Sequence, residues 1–231
     1  QVNRAFKVVI CVRHAFDLWT APAWFSERLR KEFPQLQIAY LPDYKELTEE
    51  IRDAEVFVGW SLRGEQVAAA PKLRWVHSTA AAVHQLLSPE LVAGDVVLTN
   101  STQVHGPVVA EHALALILAL AKRIPSAVKL QQRGIWGQTA IWAEQPRPRE
   151  FAGATLGVIG LGSIGGELVR LARAIGMKVI AVREHPEKGT GGADAVYGPD
   201  QLQQALAQAD YVVLAAPLTE KSRGLMNAER L

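Results

Sequence analysis

At 231 residues, with 49% hydrophobic residues and a formal charge of +2, the chain is long enough for two modest cores and too apolar for disorder. Lys and Arg are interspersed with Asp and Glu, so no basic stripe exists to track a phosphate backbone, and nucleic acid is not expected as a partner. Cys11 is the sole cysteine, which rules out an internal disulfide framework and a thiolate cluster for a metal; with no signal-peptide pattern at the amino terminus, the expected location is the cytoplasm.

From the amino terminus, short β-branched runs alternate with helical patterns, which predicts an α/β fold of parallel strands joined by crossover helices. Strands are predicted at residues 7–12, 36–41, 55–60, 73–78 and 96–99, with helical stretches near 23–32, 44–51, 64–70 and 83–87. Each strand is nearly uniformly apolar, as when both faces of a sheet are covered. Trp60, Ser61, Leu62 and Arg63 follow a strand end as candidate cleft residues, Arg63 reading as a solvated loop residue.

The segment HGPVVAEHALALILALAKRI carries Pro107 at a suitable helix start and apolar residues around nearly its whole circumference. It is expected to be buried on all sides, between domains or at a subunit contact. Glu111 and His112 interrupt the run, which falls short of the roughly 20 residues that span a bilayer, so no membrane segment is expected. On a helix these two side chains diverge by about 100°, so they cannot serve one substrate together, and His112 reads as a packed or interface residue. Residues 131–150, with Trp136 and Trp142, read as irregular connecting chain. A second unit then follows, with a strand at 155–160 and a helix that sets Ile164, Leu168, Leu171 and Ile175 on one face. Strands at 178–182, 195–197 and 211–215 and a helix at 199–208 complete it. The chain starts without Met and stops in NAERL, which reads as a helix just beginning, so it is expected to be part of a longer protein.

Gly160, Gly162 and Gly165 stand at the spacing GxGxxG, between an apolar strand and an amphipathic helix. In that setting the motif predicts a dinucleotide site: the amides of Leu161, Ser163 and Ile164 face a pyrophosphate at the helix amino end, a side chain at Gly162 would block its approach, and Gly165 lets the helix sit close to the sheet. The next strand ends in Arg183, where an acid would bind a ribose hydroxyl of NAD. A cation there suits a 2′-phosphate and favours NADP; Glu184 beside it is the alternative, which would favour NAD.

Four segments in order, LRWVHSTAAAVHQLL, VVLTNSTQVHGPVVAEHALALILALAKRI, FAGATLGVIGLGSIGGELVRLARAIGMKVIAV and ADYVVLAAPLTEKSRGLMNAERL, resemble the D-isomer-specific 2-hydroxyacid dehydrogenases over roughly residues 73–231. The resemblance implies two Rossmann-like parallel-sheet domains: a flavodoxin-like substrate domain at 1–100 and an NAD(P)-binding Rossmann domain at 101–231 that is incomplete at its carboxyl end. It further implies a cleft between them, a homodimer, and hydride transfer between NADP(H) or NAD(H) and a small 2-oxo or 2-hydroxy acid such as glyoxylate or hydroxypyruvate. By the same resemblance, backbone amides of Ala80, Ala81, Ala82 and Val83 meet the substrate carboxylate, at a turn where the family often has glycine. Ala215, Ala216, Pro217 and Thr219 pass beside the adenosine and nicotinamide ribose, and Val104 lies at the hinge near the cofactor. The family's catalytic Arg, Glu and His would follow residue 231; Arg223 falls before the expected place, and His14, His77 and His84 match no catalytic position. These 231 residues alone are therefore expected to bind cofactor with negligible turnover. A non-catalytic, dinucleotide-sensing binding protein of corepressor type is the alternative on the same fold.

Overall fold

The computed structural model describes residues 4–230, in two compact units, Gln1–Thr102 and Gln103–Leu231. In the first unit, strands β1 (Lys7–Cys11), β2 (Gln37–Tyr40), β3 (Val56–Gly59), β4 (Trp75–Ser78) and β5 (Val97–Asn100) pair in parallel in the order β2-β1-β3-β4-β5. This is the flavodoxin-type order. Alternate side chains of β1 serve opposite cores: Val9 and Cys11 pack with Phe57, Leu47 and Ile51, while Val8, Ile10 and Val12 pack with Val56, Phe25 and Leu29. Helices α1 (Ala23–Glu32), α2 (Leu47–Glu50), α3 (Gly64–Ala68) and α4 (Pro89–Ala93) complete the unit. The uniform hydrophobicity of the strands therefore has its cause in two covered faces.

The helix expected at 83–87 does not form. Leu86 N–H closes a turn on Val83 O at 2.8 Å, and the helix starts instead at Pro89, where Ser88 Oγ accepts from Leu91 N–H at 3.3 Å. Serine at the N-cap and proline in the first turn are the stronger local signal.

In the second unit, α5 (Gly106–Ala121), α6 (Ile124–Gln132) and α7 (Gln138–Ala143) precede the strands β6 (Thr155–Ile159), β7 (Lys178–Val182), β8 (Ala195–Tyr197) and β9 (Tyr211–Leu214), with α8 (Ser163–Ala174) and α9 (Leu202–Leu206) between them. The strands are parallel in the order β8-β7-β6-β9, the first four places of the dinucleotide-binding order 3-2-1-4-5-6. Asp210 Oδ2 accepts from Thr155 N–H at 2.9 Å and Asp194 Oδ2 from Val179 N–H at 2.7 Å, so two carboxylates tie loops to the amino ends of β6 and β7. The bond from Val179 N–H, with the Arg173 guanidinium, holds Asp194 below the usual carboxylate range.

Within the single chain, helix α5 covers Gly106, Ala110, Ile117 and Ala121 and leaves Val108, Val109, Leu116, Leu120 and His112 exposed. A helix resting on one neighbour, here α8, covers one stripe and leaves the rest open. Other expectations for this unit are corrected. The stretch 131–150 contains α7 and the end of α6. Arg123, at φ 57°, breaks α5 from α6, a backbone turn that composition does not reveal. Trp136 and Trp142 are exposed, and the Arg147 guanidinium lies 5.2 Å from the Trp142 ring centre. The helix expected at 199–208 is a 3-10 turn at Pro199–Gln201 followed by α9.

The covered face of α8 comprises Gly165, Leu168, Val169 and Ala172, while Ile175 caps the helix in solvent. Among the described residues, no helix is long and apolar enough to cross a membrane. Because Leu168 is fully buried, Leu168→Ala is expected to cost about 2–5 kcal/mol in denaturant unfolding. Ile175→Ala should cost under about 1 kcal/mol, and equal losses at the two positions would contradict the assigned face.

Candidate functional site

The turn from β6 into α8 is the most crowded piece of backbone in the second unit. Gly160 sits at φ +102°, and a Cβ there would lie 2.7 Å from Ala216 N and 2.8 Å from Ala215 C. A Cβ on Gly165 would strike the carbonyl oxygen of Gly160. Both glycines are thus demanded by the protein's own packing, which brings α8 against β6 and against the segment after β9. Gly162 differs: at φ −86° it is unstrained, and a Cβ there would meet nothing within 4 Å. The space beside it is open, with room for a group to approach the main chain.

That space faces a helix end with unspent donors. Gly162 is the N-cap of α8 and offers no side-chain oxygen, and among the described residues the amides of Leu161, Ser163, Ile164 and Gly165 find no acceptor. A twelve-residue helix presents free N–H groups and the positive end of its dipole here. The donor set and the open room fit a pyrophosphate. Gly106, at the start of α5, packs so close to Ser163 that a Cβ would lie 3.0 Å from Ser163 O. The exposed Val104, two residues earlier, is therefore held near the same helix end.

Two further segments border this turn. Arg183, just after β7, donates from Nη1 to Gly189 O at 3.0 Å and has its N–H bonded to Tyr197 O. Glu184 beside it pairs with Lys221 Nζ at 2.9 Å, and that hydrogen bond holds its carboxyl below the usual carboxylate range. Lys221 was not singled out in the sequence, where it stands far from Glu184. After β9, Ala215 N–H bonds Ile159 O at 2.8 Å, placing Ala215 and Ala216 over Gly160. The loop beyond them closes on Ser222, whose hydroxyl donates to Pro217 O at 2.6 Å and accepts from Thr219 N–H at 2.7 Å.

In the first unit, the turn after β4 has an unusual division of polar groups. Three successive carbonyls are engaged: Ala80 O by Ser101 N–H, Ala81 O by Asn100 Nδ2, and Ala82 O by Ser78 Oγ. Ala80 N–H is engaged as well, by Ser78 Oγ at 3.2 Å, so of the four amides expected to meet a carboxylate this one is spent internally. The amides of Ala81, Ala82 and Val83 have no acceptor among the described residues, and Thr79 Oγ1 is buried without a partner. By the family resemblance Ser78 and Thr79 stand in this turn, but sequence reading assigned no role to the Thr79 hydroxyl or to the props beneath it. His77 is one of those props: Nδ1 meets Thr99 Oγ1 at 2.8 Å and Nε2 meets Ser101 Oγ at 3.2 Å, and burial lowers its pKa. Free donors at the carboxyl end of a parallel strand suit an anionic group.

Other candidates take no part. Burial pushes the Cys11 thiol up to about 12, so it carries no thiolate character. Arg63 pairs with Glu65 at 3.2 Å in solvent. Among the described residues no three His, Cys, Asp or Glu side chains converge to hold a metal.

Residues 114–231 match the family model described as D-isomer specific 2-hydroxyacid dehydrogenase, NAD binding domain. The chain is 28% identical over 207 residues to D-3-phosphoglycerate dehydrogenase of Methanocaldococcus jannaschii, covering 88% of this chain and 38% of that protein. It is 30% identical over 197 residues to glyoxylate reductase of Pyrococcus furiosus, covering 81% of this chain and 57% of that protein. The chain thus spans well under two thirds of the length of these curated relatives. Among solved structures, a D-isomer specific 2-hydroxyacid dehydrogenase family protein from Aeromonas salmonicida superposes with a TM-score of 0.74 at 27% identity, covering 95% of this chain and 66% of that one. An NADPH-dependent glyoxylate/hydroxypyruvate reductase from Sinorhizobium meliloti, solved with NADP and sulfate, shares the fold with a TM-score of 0.76 at 23% identity, covering 97% and 66%.

The glycine assignments are separable by stability. Gly160→Ala is expected to lose about 1–3 kcal/mol in thermal or denaturant unfolding from its left-handed φ and backbone clash. Gly162→Ala should unfold within about 0.5 kcal/mol of the parent; a large loss there would show that the space beside it is needed by the protein itself.

Proposed function

Since the chain belongs to the D-isomer specific 2-hydroxyacid dehydrogenase family, we propose that it serves an oxidoreductase that interconverts 2-oxo and 2-hydroxy acids with NADP(H) as the preferred cofactor. The observation that carries this reading is the open, donor-rich crevice beside Gly162 at the amino end of α8. Leu161, Ser163, Ile164 and Gly165 would hold the pyrophosphate by backbone amides, with Gly160 shaping the turn and Ala215, Ala216, Pro217 and Thr219 forming the opposite wall. When bound in reduced form, the cofactor supplies a hydride to the carbonyl carbon of the 2-oxo acid, whose oxygen takes up a proton to give the 2-hydroxy acid.

The preference for NADP is supported by charge at the end of β7. Arg183 occupies the place where an acid would take the ribose hydroxyls of NAD, and the neighbouring Glu184 is engaged by Lys221. A guanidinium and an ammonium in this region suit a 2′-phosphate. The substrate carboxylate would be taken by the free amides of Ala81, Ala82 and Val83 together with Thr79 Oγ1, with Ala80 helping to shape the turn. The relatives named glyoxylate reductase support a 2-oxo acid as the core of the substrate.

Calorimetric titration of the chain with each dinucleotide tests the reading. NADPH is expected to bind more tightly than NADH, and Arg183→Ala to weaken NADPH by roughly 10- to 100-fold while changing NADH little. Tighter NADH binding by the parent would overturn the NADP assignment, and failure of both dinucleotides to bind would overturn the reading as a whole.

A further inference from the structure

The first unit carries a cavity that the cofactor and the substrate carboxylate leave unused. In the order β2-β1-β3-β4-β5 the chain leaves β1 toward one edge of the sheet and β3 toward the other, so the crevice at their carboxyl ends is the topological switch point. A cavity of about 330 Å³ opens there, lined by Arg13, His14 and Trp19 after β1, Trp60 and Ser61 after β3, and Tyr44 and Gln85, with Ala15. Gln85 follows Val83 by two residues, so the cavity adjoins the turn whose amides are free. The larger groove of about 970 Å³ in this unit, around Trp75, opens instead at the amino ends of β3 and β4.

The lining is aromatic and fixed. The rings of His14 and Trp19 are 4.7 Å apart and those of Trp19 and Trp60 are 6.2 Å apart, both pairs tilted. Trp60 Nε1 donates to the main-chain Trp19 O at 3.0 Å, and His14 Nδ1 accepts from Phe16 N–H at 3.0 Å, so hydrogen bonds hold the Trp60 and His14 rings, and the Trp19 ring packs between them. Tyr44 donates to Arg13 O at 3.4 Å, and burial pushes its phenol up to about 12, so it stays neutral. No lining residue is acidic, and the one cation among them, Arg13, is paired with Asp17 at 3.3 Å. A flat apolar ring fits these walls, because indole and imidazole faces meet it edge to face or offset. A two-carbon acid has no atoms to reach them.

Resting on the functional reading above, we propose that this cavity receives the side chain of the substrate and that the substrate is an aromatic 2-oxo acid of the arylpyruvate class. The carboxylate sits on the amides of Ala81, Ala82 and Val83, and the ring packs against the cavity side of the Trp19–Trp60 pair. This goes beyond glyoxylate and hydroxypyruvate, which the sequence resemblance suggests.

The test is calorimetry on the full chain with two stable 2-hydroxy acids, 3-phenyllactate and glycolate, each with NADPH titrated in the same preparation. The parent is expected to bind 3-phenyllactate at least about tenfold more tightly than glycolate; Trp60→Ala and the more exposed Trp19→Ala should each lose roughly tenfold for 3-phenyllactate and leave glycolate unchanged. Near-UV circular dichroism shows whether each variant is folded, and Trp19→Ala alone decides the matter if Trp60→Ala is not. Equal binding of the two acids, no binding of either, or variants that weaken both alike would overturn the assignment. NADPH binding retained beside any of those results strikes the aromatic pocket alone, whereas loss of NADPH binding with 3-phenyllactate preference intact strikes the dehydrogenase reading alone.

Discussion

The close approach of main chain to main chain between residues 159 and 166 governs the second unit. Gly165 lets α8 descend until its first turn touches the carbonyl of Gly160, and Gly160 in turn accepts the Ala215–Ala216 backbone leaving β9. Gly106 extends the same crowding to α5. These contacts leave no room for side chains, and they aim the first amides of α8 outward beside Gly162, the one of the motif's three glycines that faces empty space. A helix end whose donors find no internal acceptor is stabilised by an anion that supplies one. The glycine pattern is thus two packing requirements and one opening, and only the opening concerns a ligand.

The first unit solves a similar problem with different parts. Its turn after β4 has alanines rather than glycines, so the main chain cannot rely on φ > 0 to present its amides. Instead the carbonyls are drawn inward one by one, by Ser101, Asn100 and Ser78, and the amides of Ala81, Ala82 and Val83 are left facing out by elimination. His77 fixes Ser101 and Thr99 from below, which gives this histidine a structural part in the turn. Both units therefore place free backbone donors at the carboxyl ends of parallel strands, where an open α/β sheet binds its ligands.

Much of this was legible in the sequence because it is local. Strand identity followed from apolar runs, and the turn at Gly160–Gly165 from spacing. The parts that were not legible depend on contacts between distant residues or on backbone angles. Leu168 shares its covered face with Gly165, Val169 and Ala172, small residues a hydrophobic periodicity overlooks, while Ile175 is apolar and exposed. Arg123 ends α5 by adopting φ 57°, which no composition predicts. Lys221 reaches Glu184 across 37 residues, an engagement that neither segment shows by itself.

The claim on which the account stands is that the outward amides at the start of α8 are the seat of a dinucleotide pyrophosphate. Amide chemical shifts of the isotope-labelled chain, followed as NADPH is added, address it residue by residue. The account predicts that Leu161, Gly162, Ser163 and Ile164 move first and furthest. Unmoved signals from these residues, with the changes gathered elsewhere in the chain, would contradict it.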